Sequence, residues 1–123
     1  MGKINSRQKG KVGELELVQF LKRYGYDDAR RGQQFKGSPD SPDIECESLA
    51  EYHIECKRVE RLQIYSAIEQ ANEDSGESQI PVVFHRKNRE SWLTVMYSSD
   101  FMEIVKELKE LRAKVNAQET QAI

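Results

Sequence analysis

The sequence predicts an α/β domain: a central mixed β-sheet flanked by helices, in the order αβββαββα. Three observations lead there. Residues 6–24 and 62–74 carry apolar side chains at helical spacing, and a glycine follows each segment, Gly25 and Gly76. Between them, residues 43–47 and 52–57 alternate apolar and polar side chains, as the two strands of a hairpin do. Beyond the second helix, "IPVVFH" is an apolar run of the buried-strand kind, residues 92–96 form another strand, and a third helical pattern closes the order.

The first helix is expected from Ser6 to about Tyr24, with Asn5 or Ser6 as its cap. Its stripe is Val12, Leu15, Leu17, Val18, Phe20, Leu21 and Tyr24. At ~100° per residue, Leu17, Val18 and Leu21 all point within about 60° of Glu14. Glu14 therefore lies on the apolar face, where a charge needs a partner or a purpose. Glu16 falls toward the polar side. A short strand is expected over 27–31, then a loop, "GQQFKGSPDSP", rich in turn formers. In the hairpin, Ile44 and Cys46 oppose Asp43, Glu45 and Glu47, while Tyr52, Ile54 and Cys56 oppose His53, Glu55 and Lys57. Leu62, Tyr65, Ile68 and Ala71 are spaced for burial on the second helix. Ser98 or Asp100 caps a last helix over about 101–113.

A chain of 123 residues, 37% hydrophobic and 33% charged, suits one domain with a modest core, expected over 1–115. Residues 116–123 have no periodicity and are expected to be a disordered tail. No apolar run approaches the ~18 residues of a membrane span. No apolar segment follows the basic start "MGKINSRQKGK", so no secretory signal is expected. Cys46 and Cys56 are expected to be reduced, and their spacing fits no zinc pattern. The net charge of −2 argues against a generic nucleic-acid binder. It divides into +4 over residues 1–40 and −6 over the rest. A basic first third can follow phosphates, although a solvated helix face accounts for that charge more simply.

Glu55 and Lys57, two apart on one strand, share a face. If the hairpin closes around "SLAE", Asp43 joins them, and Glu14 would approach from a helix packed over that face. Two carboxylates can hold Mg²⁺, a hard cation that takes oxygen ligands. Such a metal acidifies water and draws charge off a phosphate oxygen, while a neighbouring lysine orients the water or stabilises the oxyanion. That combination hydrolyses phosphodiesters. From Asp43, Glu55 and Lys57 alone, an exposed ion-paired hairpin face is an equal account; Glu14 and the element order favour a site. His53 is read as surface or edge packing, His85 as locally satisfied, and both cysteines as core residues. Arg86, Lys87 and Arg89 are read as a solvated hairpin tip.

Pro42-Asp43, then Glu55-Cys56-Lys57 within "HIECKR", preceded by a helix carrying Glu14, resembles the PD-(D/E)XK nuclease superfamily. Over about residues 6–113 the chain is similar to the small Holliday junction resolvases of archaea and some phages. The likeness includes the opening "RQKGKVGELELVQFLKRYGY" and the glycine-containing loop before "PDI". The resemblance implies a three-layer restriction-endonuclease-like fold and a Mg²⁺-dependent endonuclease, with Mn²⁺ able to substitute. It implies a homodimer acting on four-way or other branched DNA, away from membranes, in the cytoplasm of a bacterial, archaeal or phage-infected cell. Asp43, Glu55 and the carbonyl of Cys56 would hold the metal. Glu14 would act on a metal-bound water or a second metal, and Lys57 would position the nucleophilic water. Arg30, Arg31, Lys36 and Ser38 would touch DNA, and Gln70 would be an accessory polar group.

Two features depart from that pattern. "SPDSPD" holds two Pro-Asp pairs, and Asp43 is preferred over Asp40 because a strand begins there. The chain is mildly acidic, which weighs on junction preference more than on the nuclease fold. Three classes stay open: a structure-selective endonuclease; a duplex endonuclease, nickase or exonuclease of the same fold; and a non-catalytic DNA-binding module.

Overall fold

The computed structural model describes residues 6–32 and 42–121. Lys36, Ser38 and Asp40 lie outside them. The elements are α1 (Ser6–Arg23), β1 (Arg30–Arg31), β2 (Ile44–Glu45), a 3₁₀ turn (Glu47–Leu49), β3 (Tyr52–Lys57), α2 (Ile64–Asp74), β4 (Ile80–His85), β5 (Leu93–Val95) and α3 (Ser98–Gln121). The strands form one sheet in the order β1-β2-β3-β4-β5. Every pair is antiparallel except β3 and β4, which run parallel and are joined through α2. This is the predicted α/β class and element order.

Strand alternation sends the core to both faces of the sheet. Ile44 pairs with Ile54, and Ile54 with Val82, so all three share a face. Leu17, Val18 and Leu21 of α1 are buried with Ile44, Ile54, Ala29 and Cys46 in one cluster. On the other face, Ala67, Ile68 and Ala71 of α2 are buried with Val83. At roughly 1.5–3 kcal/mol per fully buried large aliphatic side chain, these two clusters dominate the folding energy.

Local signals account for the ends of the elements. Gly25 has φ 95°, a left-handed conformation that costs glycine nothing. Its N–H bonds to Lys22 O at 2.9 Å and Tyr26 N–H bonds to Leu21 O at 3.2 Å, which stops α1. β2 is shorter than the predicted 43–47, and Asp28 supplies the reason. Its carboxylate accepts Ser48 N–H at 2.8 Å, Ser48 Oγ at 3.0 Å and Cys46 Sγ at 3.3 Å, drawing the chain into the 3₁₀ turn. The Ser48 N–H foremost, then the Cys46 thiol, holds the Asp28 carboxyl below its ordinary range.

Three further expectations are corrected. The first strand is two residues rather than five. Tyr65 is 80% exposed, because α2 buries the Ala67, Ile68 and Ala71 side and Tyr65 projects away from it. The segment expected to be a disordered tail is helical as far as Gln121.

One glycine sets how closely α1 sits on the sheet. A Cβ built on Gly13 would lie 2.5 Å from Arg58 Cβ, so only a hydrogen there lets the helix cross the end of β3. Gly10, on the same helix, has nothing within 4 Å of such a Cβ. Opposite signs are therefore expected. Gly13→Ala should lower the thermal midpoint, at a cost of about 1–3 kcal/mol, whereas Gly10→Ala should raise it, with a gain in stability of about 0.5–1 kcal/mol. Thermal melts of both variants check this, and a stabilised Gly13→Ala would contradict the close crossing.

Candidate active site

The hairpin places Asp43 by backbone bonds before its side chain acts. Gly32 N–H bonds to Asp43 O at 2.8 Å, and Asp43 N–H bonds to Ile54 O at 3.1 Å. Gly32 admits this approach because it lacks a Cβ; one built there would lie 1.9 Å from Pro42 O. Asp43 Oδ2 then accepts the Cys56 N–H at 2.8 Å, which fixes it against the middle of the Glu55-Cys56-Lys57 run. Its carboxyl lies close enough to that of Glu55 for each to act on the other's proton.

Two carboxylates in contact cannot both ionise freely. Burial, then the hydrogen bond and the charge of Glu55, push Asp43 from an ordinary 3.8 up to about 8; the Cys56 N–H opposes this and Glu14 adds to it. Asp43 therefore keeps its proton well above the ordinary carboxylate range. Burial, then the charges of Asp43, Glu14 and Glu16, push the Cys56 thiol up to about 12. That thiol is inert core, as expected. Lys57 is half-buried, follows Glu55 on the same face, and makes no ion pair among the described residues.

Glu14 is 7% exposed and accepts Arg31 Nε at 3.0 Å. This is the partner its place on the apolar face requires. Its approach differs from the expectation, however. α1 covers the Ile44 and Ile54 face, opposite the one carrying Glu55 and Lys57, and Glu14 reaches Asp43 through its charge.

Two side chains here were misread or missed in the sequence. His53 is 1% exposed rather than at the surface, and its Nε2 lies 2.7 Å from Glu55 Oε1. Its two-residue spacing from Glu55 was visible, but not that α2 would lie over that face. Asp74, the last residue of α2, brings a carboxylate oxygen within 4.8 Å of the ligand atoms of both His53 and Glu55. Gln70, expected as an accessory polar group, donates from Nε2 to Asp74 Oδ1 at 3.1 Å and Oδ2 at 3.0 Å, which places it next to the Asp74 carboxylate. The candidate group thus comprises Asp43, Glu55, Lys57 and Glu14, with His53 holding Glu55 and Asp74 beside it.

The arginines expected at DNA are engaged within the chain. Arg30 pairs with Glu45 at 3.1 Å, and Arg31 with Glu14. A different basic cluster stands past the Lys57 end. Glu16 accepts Arg58 Nε at 3.2 Å and also pairs with Arg86, while Arg58 Nη2 donates to Asn88 Oδ1 at 3.1 Å. Arg86 is thus a tie to α1 rather than part of a solvated tip. Beside it, Arg23, Arg89, Phe20 and Trp92 line a cavity of about 640 Å³. His85 is satisfied locally, its Nε2 lying 2.8 Å from Val59 O.

Buried carboxylate oxygens in contact, with a backbone carbonyl beside them, are the donors a hard divalent cation takes. Compared with known proteins, the chain matches no family model, no curated protein and no solved structure.

The raised Asp43 couples folding to pH. Between 3.8 and 8 the unfolded chain has lost a proton that the folded one keeps. With divalent metal chelated, stability should fall as pH rises through that window and level off above it. Asp43→Asn should remove this part of the slope and gain stability at pH 8. Denaturant unfolding from pH 4 to 9 measures both, and an unchanged slope in the variant would sink the assignment.

Proposed function

We propose that the chain is a metal-dependent endonuclease that hydrolyses phosphodiester bonds in branched DNA, with a four-way junction as the substrate its motif implies. One observation carries this reading. Asp43 and Glu55 are held in contact in a largely buried setting, and next on the same face is a lysine that makes no ion pair among the described residues. Asp43, Glu55 and the Cys56 carbonyl would hold Mg²⁺, or Mn²⁺ in its place. The cation, when bound, supplies charge to a phosphate oxygen and lowers the pKa of water. Lys57 orients the attacking water and offsets the charge that builds on the phosphorus oxygens. Glu14, linked to Arg31, adds negative charge that favours a cation. His53 keeps the Glu55 carboxylate in one orientation, as outer partners of metal ligands do.

DNA would gain further contacts at the cavity on the α1 side of the sheet, where Arg23, Arg86 and Arg89 stand among Glu16 and Glu90. Arg23 and Arg89 form no ion pair among the described residues, and Phe20 and Trp92 stand beside them. A second reading, a duplex endonuclease or nickase with the same site, is favoured by the internal pairing of Arg30 and Arg31. Those pairs narrow the basic surface available to four duplex arms.

The deciding assay is cleavage of an immobile four-way junction and of its matched linear duplex, in Mg²⁺ and in EDTA. Paired cuts in the junction alone, lost in EDTA, are expected. Asp43→Asn and Glu55→Gln should reduce cleavage to background while junction binding persists, and His53→Ala should cost about 10–100-fold. Wild-type rates in either carboxylate variant would refute the site. Cuts in both substrates would keep the site and select the second reading.

Salt dependence tests the path of the DNA. Arg23→Ala with Arg89→Ala should flatten the log–log salt slope of binding by about 2, since each phosphate that a cation neutralises adds roughly 0.9 to it. A larger effect from replacing Arg30 and Arg31 would place the DNA over β1 instead.

A further inference from the structure

α3 has 24 residues, about 36 Å of helix at 1.5 Å per residue, and buries none of them. Its start rests on the domain, where Ile104 and Val105 are half-buried; from Lys106 to Gln121 every residue is exposed. In proteins a helix draws most of its stability from the packing of an apolar face. Such a face exists. Phe101, Ile104, Leu108, Leu111 and Val115 recur at alternating steps of three and four, the spacing of a coiled-coil seam. Phe101, Leu108, Leu111 and Val115 are 53, 44, 51 and 50% exposed, so the stripe runs off the body into solvent.

We propose that this stripe is a self-association surface, on which α3 of a second copy packs as a parallel, in-register coiled coil. The flanking charges select that occupant and that direction. With Leu108 at a and Leu111 at d, Glu107 and Lys114 take g, and Arg112 and Glu119 take e. In a parallel pair, each g residue faces the e residue five positions on in the other chain. Glu107 then meets Arg112 of the partner subunit, and Lys114 meets Glu119 of the partner subunit. Symmetry repeats both, so four contacts join opposite charges, while Asp100 faces the apolar Val105 of the partner subunit. The antiparallel register that sets Leu108 against Leu111 joins only Glu107 with Lys114 and leaves Arg112 beside an apolar Val105. A protein of unrelated charge pattern would gain no comparable match. Association through α3 is independent of whether the chain cuts DNA, because none of these residues belongs to the candidate site.

Sedimentation equilibrium of the full chain at micromolar concentration tests this. The wild type is expected to be a dimer. Leu108→Gln with Leu111→Gln should raise the dissociation constant at least ~100-fold, since four large apolar side chains per dimer lose their cover. Both are exposed in the monomer, so the β-sheet circular dichroism should be unchanged. Arg112→Glu should weaken the dimer, and adding Glu107→Arg should restore it, because the exchange keeps opposite charges together only in the parallel register. A monomeric wild type, or a dimer indifferent to the leucine pair, would overturn the surface. A charge exchange that fails to restore dimerisation would overturn the parallel arrangement.

Discussion

The hydrogen bond from Cys56 N–H to Asp43 Oδ2 is the contact around which this molecule is arranged. β2 has only two residues, so few ladder bonds hold its register. The side chain of Asp43 does part of that work, joining the strand to the middle of β3. In doing so it places one carboxyl against another. The fold holds the hairpin with the same group that makes its polar face electrostatically uncomfortable, and the proton kept by Asp43 marks that discomfort.

The surroundings divide into groups that limit the conflict and groups that sharpen it. Arg31 pairs with Glu14, and His53 gives Glu55 a fixed partner. Burial of the pair and the charge of Glu14 act in the other direction. Lys57 makes no ion pair among the described residues. Asp74 and Gln70, from α2, extend the polar group on the far side of Glu55 and give it a wall.

Two glycines hold the frame in place. Gly13 brings α1 down onto the end of β3, and Gly32 lets the chain pass close to Pro42. Arg58 and Arg86 converge on Glu16 and tie α1 to the end of β3 and to the segment after β4. The end of β3 and the cavity lined by α1 are thereby joined, while α3 carries its apolar stripe facing solvent.

Periodicity carried most of the fold. Alternation in "YHIECK" and helical spacing in "VGELELVQFL" depend on neighbours a few residues away, so they are written locally and can be read locally. The Asp43, Glu55 and Lys57 grouping was legible for the same reason: two strands and one short connection determine it. Tyr65 and the early end of β2 were not, since the first depends on which side of α2 meets the sheet and the second on Asp28, some eighteen residues before Cys46. His53 escaped because a polar strand face looks solvent-exposed until a helix from the β3-to-β4 crossover is laid over it. The pairing of Arg30 and Arg31 also came only with the sheet. The sequence by itself determined the order of elements and which residues could do chemistry. The tertiary structure decided which charges meet and how deeply they are buried, because those depend on contacts between segments far apart in the chain.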